Sequence, residues 1–174
     1  KPAAFPEIPR RDDPADDAFL FRQGPTRGLG AIRFHDPGIA YAGVDLPNVA
    51  RFREQIAQLR RLLLEAPPDE AQTRDIDFLL NLGELFTLVA YGQLIIEKAG
   101  MDALDPELLD QIFDVMIRDF SKAALQLYSR RSSTPAQMAV CLEMIRKPVV
   151  DEDRFQRIWT GRVLAEKDAY EMTP

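Results

Sequence analysis

Cysteine, histidine and tryptophan each occur once in these 174 residues. A lone thiol, Cys141, cannot close an internal disulfide, so nothing points to an oxidising compartment and a cytoplasmic location is expected. Its surroundings, Val140 and Leu142, favour a buried, inert sulfur over a reactive one. The single imidazole, His35, removes most zinc and di-iron schemes, which draw on several histidines or on Glu-x-x-His pairs, so no metal site is expected. Asp36 stands next to it and can orient an imidazole for acid–base work. No nucleophile lies near in sequence, and a structural hydrogen bond is the simpler reading.

Positive charge is also short. Lysine and arginine number 22 against 28 acidic residues, a net charge of −6. Such a surface repels phosphate backbones, and no nucleic-acid partner is expected. The glycines of Gln23-Gly24-Pro25-Thr26-Arg27-Gly28-Leu29-Gly30 permit close approach of backbone amides to a phosphate, with Arg27 as the pairing cation. But the spacing is not Gly-x-Gly-x-x-Gly, and no Gly-Lys-Ser/Thr follows. A structural turn is the better reading, with Arg27 a weak candidate for cofactor contact. The longest apolar stretch, Phe78 to Ile96, matches a membrane span in length. It contains Asn81, Glu84 and Gln93 and is flanked by Asp75, Asp77 and Glu97. A carboxylate in mid-span costs a few kcal/mol, on the order of 3, so a bundle helix is expected and no membrane span.

What is present is the material of a globular domain: 46% apolar and 29% charged residues. The opening KPAAFPEIPRRDDPADD has no apolar signal-peptide core and is rich in proline and charge. Read as a linker, with Asp12 to Asp17 a solvated acidic run, it implies one piece of a longer polypeptide. Residues 1–47 read as a linker and extended arm, with weak strand alternation over Ala31 to Phe34. Phe19, Leu20, Phe21, Leu29, Ile32 and Phe34 are too apolar for a free tail and call for burial.

From residue 48 to 174 helical periodicity takes over. Asn48 is a candidate N-cap, with Val49, Phe52, Ile56, Leu59 and Leu63 on one face and a stop before Pro67-Pro68. A second helix is expected from about Asp69 to Lys98, ended by Gly100 and apolar on nearly every side. That composition predicts a place in the middle of the bundle or in a subunit interface, with Gly83 and Gly92 allowing a neighbour to approach. Asp105-Pro106 opens a third, with Leu109, Ile112, Phe120 and Leu127 in its stripe. Thr134-Pro135 opens a fourth, closed by Lys147-Pro148. Asp151 opens a fifth, in which Phe155, Ile158, Trp159 and Val163 form a stripe and Trp159 anchors the core. The expected fold is all-α: an antiparallel bundle of about five helices with an irregular N-terminal arm.

Asn81 and Glu84 interrupt the apolar second helix three residues apart, and Thr87 and Tyr91 continue a polar stripe. A carboxylate in an apolar setting can act as a base. A partly solvated seam, or pairing with an arginine from another helix, explains the same residues. Asn81 and Glu84 are kept as weak ligand-binding candidates.

Three stretches carry a family resemblance: DDAFLFRQGPTRGLGAIRFHD, DLPNVARFREQI and LGELFTLVAYGQLIIE. Together they resemble the C-terminal region of large bacterial acyl-CoA dehydrogenase-like flavoproteins. The resemblance implies an accessory helical region of an enzyme that oxidises the α,β-bond of acyl-CoA thioesters with FAD. Its partners would be an upstream catalytic domain or another subunit, in a homo-oligomer. The family's catalytic carboxylate and flavin-holding motifs match nothing here. No catalytic residue is therefore carried over, no cofactor is expected on this chain alone, and FAD belongs to the full protein. The alternative is a helical protein-interaction module unrelated to acyl-CoA chemistry.

Overall fold

The computed structural model describes residues 36–169. Arg27, His35 and the alternating Ala31–Phe34 lie outside them. Among the described residues six α-helices and no strand form an all-α bundle: α1 (Pro37–Ala42), α2 (Pro47–Glu65), α3 (Ile76–Asp102), α4 (Pro106–Tyr128), α5 (Pro135–Met144) and α6 (Glu152–Ile158).

Proline at the first turn, where no intrahelical amide bond is lost, opens α1, α2, α4 and α5. Asp105 caps α4 through the Glu107 amide at 2.9 Å, and Asp151 caps α6 through the Arg154 amide at 2.9 Å. Thr134 and Gln137 form a reciprocal capping box on α5. Asp75 caps α3 through the Phe78 amide, and its other oxygen accepts from the Ser132 hydroxyl at 2.8 Å. That hydroxyl, then the Phe78 amide, holds the Asp75 carboxyl below its ordinary range.

The helices alternate in direction. The start of α3 lies by the end of α4, where Asn81 meets Gln126 and Arg130. The start of α2 lies by the start of α4, where Asn48 meets Asp110 and, two turns on, Gln55 meets Ile117. So α2 and α4 run parallel, with α3 and α5 against them. Helix α4 touches α2, α3, α5 and α6 and is the central element. Phe113, Ile117, Phe120, Ala123, Ala124 and Leu127 of α4 are completely buried.

Several expectations are corrected here. Residues 37–42, read as irregular, form α1, opened by the same Asp-Pro device as α4. Its Tyr41 is buried between Phe52 and Phe113, with ring centroids 5.9 and 6.2 Å away, and donates a 2.7 Å hydrogen bond to the Val89 carbonyl. Gly92 leaves room for it: a Cβ there would stand 2.3 Å from the Tyr41 hydroxyl. Gly83, paired with Gly92 in the sequence reading, faces open space. Helix α3 begins at Ile76 rather than Asp69. Gln72–Arg74 makes a single tight turn, because Gln72 is buried and locked to Gln137 by two reciprocal amide bonds of 2.8 and 2.9 Å. Gly100 does not end α3. Ala103 does, in the left-handed region at φ 50°, placing Leu104 against the core. Helix α5 ends at Met144, short of Lys147-Pro148.

The cap assigned to Asn48 is also corrected. Leu46 is the cap residue and Pro47 the first residue of α2. Asn48 is fully buried, and its backbone N–H donates to Asp110 of α4 at 2.8 Å. Its side-chain amide donates to Asp110 and to the Val149 carbonyl, and its own carbonyl accepts from the Val149 amide at 2.7 Å. Arg154 of α6 completes the cluster with an ion pair to Asp110 and a 3.1 Å bond to the Val149 carbonyl. One carboxylate thus caps α2 from another helix and holds α6.

Trp159 does not anchor the core. Only Ile158 of its expected stripe is buried. Beyond it the chain widens into a π turn over Trp159–Val163 and a closing tight turn over Leu164–Glu166. Phe155 and Trp159 stack at 6.1 Å and remain partly exposed. Helix α6 meets α4 along a single short seam, so most of its apolar stripe finds no surface among the described residues.

Two substitutions test this packing. Gly92→Ala gains about 1 kcal/mol of helix propensity but displaces a hydrogen-bonded tyrosine, an overpacking cost of roughly 1–3 kcal/mol; chemical denaturation should show net destabilisation, and a more stable variant would refute the tight fit. Arg154→Met strips the partner from a buried carboxylate and should cost about 3–5 kcal/mol in the same measurement; a change within error would show that Asp110 does not depend on it.

Candidate functional site

The polar interruptions of α3 do not converge. Asn81 turns inward and is buried. Its carbonyl accepts from the Arg130 guanidinium, and its amide lies 3.5 Å from Gln126 Oε1. Glu84, three residues on, is exposed. The Thr87 hydroxyl donates to the Gly83 carbonyl of its own helix at 2.8 Å, and Tyr91 is exposed. Three residues subtend about 60° round a helix, enough to put Asn81 inside the bundle edge and Glu84 outside it. Asn81 thus takes up the arginine pairing, and Glu84 stands in solvent.

Two shallow clefts flank this region, and neither is lined by Asn81 or Glu84. The first, about 430 Å³, is lined by Asp75, Asp77, Arg130, Arg131 and Ser132. Three of its four charged residues are engaged: Asp75 caps α3, and Arg130 reaches Asn81 and lies 3.6 Å from Asp77. The second, about 350 Å³, lies where the end of α3 meets the start of α4, lined by Tyr91, Leu94, Ile95, Ala99, Leu104 and Ile112, with Lys98 and Asp102 paired at its rim. It is almost wholly apolar.

That second cleft belongs to a larger feature, an outward apolar face of α3, a helix for which the sequence allowed either the bundle centre or an interface. Helix α3 is long and apolar enough, by composition, to cross a membrane, yet only one side of it is buried. Phe78, Leu82, Leu85, Val89 and Ile96 face the core. Ile76, Leu80, Leu94 and Met101 are 72, 65, 60 and 80% exposed, and Leu79 and Phe86 are also exposed. The expected place in the middle of the bundle falls to α4. The signal was present in the all-round hydrophobicity of α3, which marks either a core helix or an interface helix and does not distinguish them.

No cluster of histidine, cysteine, aspartate or glutamate able to hold a metal occurs among the described residues. Cys141 is fully buried, and burial pushes its thiol up to about 11, so the sulfur is protonated and shielded. The described residues offer an exposed apolar helix face and, among themselves, no assembled nucleophile or acid–base pair. The chain matches no protein family, no curated protein and no solved structure in any of three comparisons.

The different settings of the two α3 polar residues give a paired expectation. Glu84→Gln should leave stability within about 0.5 kcal/mol, as at other exposed sites, whereas Asn81→Ala should cost about 1–3 kcal/mol by stripping a partner from Arg130. Thermal melts of both variants decide it. Equal effects would mean that the two residues share one environment.

Proposed function

We propose that this chain is a C-terminal accessory helical domain of an acyl-CoA dehydrogenase-like FAD enzyme, and that its own work is packing and oligomerisation rather than chemistry. The observation that carries the packing role is the exposed apolar face of α3. A contiguous stripe of large aliphatic side chains in water marks an interaction surface. The catalytic context comes from the sequence resemblance. Two of the three resembling stretches fall on described elements: residues 45–56 enter α2, and residues 82–97 form the middle of α3. In this reading FAD and the acyl-CoA thioester are held by the rest of the protein, and dehydrogenation at the α,β-bond takes place there. Neither Glu84 nor Asn81 is given a part in it.

The second reading keeps the docking face and drops the flavin: a helical interaction module for a partner outside acyl-CoA chemistry. The same α3 surface supports it, so spectroscopy rather than structure discriminates. The full-length protein is expected to show the visible absorption of bound flavin, bleached on adding an acyl-CoA. A colourless protein that takes up no added FAD would overturn the flavoenzyme reading. Retained association through α3 in that protein would favour the module.

A further inference from the structure

We propose that residues 148–169 form a strap, hinged at Lys147-Pro148 and latched by Arg154 on Asp110, that opens as a unit while α1–α5 stay folded. The proposal stands apart from the docking reading of α3 and from the flavin context.

Burial almost ceases where the strap begins. Helix α5 sends Val140, Cys141 and Met144 into the core. Among the described residues beyond Met144, 145–169, only Arg154 and Ile158 are buried, and one of those two is an ion. A single isoleucine supplies little apolar burial to set against the ordering of the whole segment.

Polar contacts hold the strap instead. Arg146 still belongs to the bundle, since its backbone N–H donates to Ser121 Oγ of α4 at 3.0 Å. Lys147 and Pro148 follow with neither side chain buried. Then the Val149 amide and carbonyl meet the Asn48 side chain at 2.7 and 3.2 Å. Arg154 pairs with Asp110, and Arg157 makes a two-pronged pair with Glu107 at 2.9 and 2.6 Å. Every one of these contacts reaches the head of α2 or the first two turns of α4.

Such a latch is specific in geometry and modest in net strength. Opening returns Asp110 and Arg154 to water, and their rehydration offsets much of the lost attraction. The outer pair lies in solvent and is screened by salt. Removing the guanidinium alone is different, because the closed form then strands a buried carboxylate. Opening does not dismantle the bundle. Asp110 keeps the backbone and side-chain donors of Asn48, so α2 keeps its cap. Helix α6 itself does not outlast release, since seven residues are too few to stay helical in water.

Hydrogen exchange of the 174-residue chain, followed residue by residue, tests the strap. The Val149 amide and those of Arg154–Ile158 should exchange together. Their rate should lie on the order of 10²- to 10⁴-fold below that of an open chain, the range matching the loss expected for Arg154→Met. Amides of Phe113–Leu127 should be slower by at least about another tenfold and should respond more steeply to urea. In Arg154→Met the strap should lose its protection while α4 keeps its own. Once the strap is open the missing guanidinium costs nothing more. The stability that variant loses to denaturant therefore cannot exceed the opening free energy read from the wild-type strap. Equal protection and equal urea response of strap and α4 in the wild type would overturn the proposal. So would a strap that stays protected in Arg154→Met. An Arg154→Met chain that unfolds altogether breaks the ceiling and sinks the proposal too.

Discussion

The bundle depends on one buried carboxylate. Asp110 sits near the start of α4, takes the orphan amide of Asn48 at the head of α2, and binds the guanidinium of Arg154. Helices α2 and α4 run parallel, so no short hairpin can hold them in register. Asp110 and Asn48 supply that register directly, and the Gln55 amide repeats it two turns later by donating to the carbonyls of Ile117 and Met144. Ions and amides of this kind are expensive to bury without a complement; here each polar atom of the set is paired except the Gln55 Oε1, which is buried without a partner among the described residues. Hydrophobic burial gives the bundle its cohesion, while these polar contacts select one alignment among several that would bury similar area.

Around that alignment the aromatic rings cluster, Tyr41, Phe52 and Phe113 in mutual contact and Phe120 against Phe52. Tyr41, Phe52, Phe113 and Phe120 come from α1, α2 and α4, with neighbouring centroids 5.4 to 6.2 Å apart and mostly edge-to-face. Such geometry lets the positive edge of one ring meet the negative face of the next. Tyr41 also ties the cluster to α3 through Val89. Helices α2 and α3, joined by a long connection, thus cohere largely through what α1 and α4 place between them.

The helix starts were legible in the sequence because capping is a local act. Asp105-Pro106, Thr134-Pro135 and Asp151 each bring acceptor and amide together within four residues. Asp36-Pro37 carried the same sign, but six residues show no period, and α1 was read as irregular. The ends were less legible. Ala103 in the left-handed region stops α3 because Leu104 has a place in the core, a tertiary reason that outranks the nearby glycine. The sequence left α3 two places, the bundle centre or an interface, for a related cause. Helix α3 has the greasier sequence, but α4 has the better-segregated one, with Arg118, Asp119 and Lys122 on its outer side and, of its charged residues, only Asp110 and Asp114 buried. Position in a bundle follows the contrast between faces more than the total. The candidate polar pair met the same limit: Asn81 and Glu84 straddle the boundary of the buried arc, and only the orientation of α3 decides which falls inside.

The seat of Tyr41 has a mechanical side. The backbone preceding Asp36 joins the bundle through six residues of helix and one turn. That helix is pinned by the Tyr41 ring, packed between Phe52 and Phe113, and by its hydroxyl on the Val89 carbonyl of α3. Tension applied at Asp36 would pass through its bonds to Gly38 and Ile39 at the head of α1 and then to the Tyr41 hydroxyl on Val89, inside the bundle. Force entering through α1 is thereby handed to the centre of the bundle rather than to its rim.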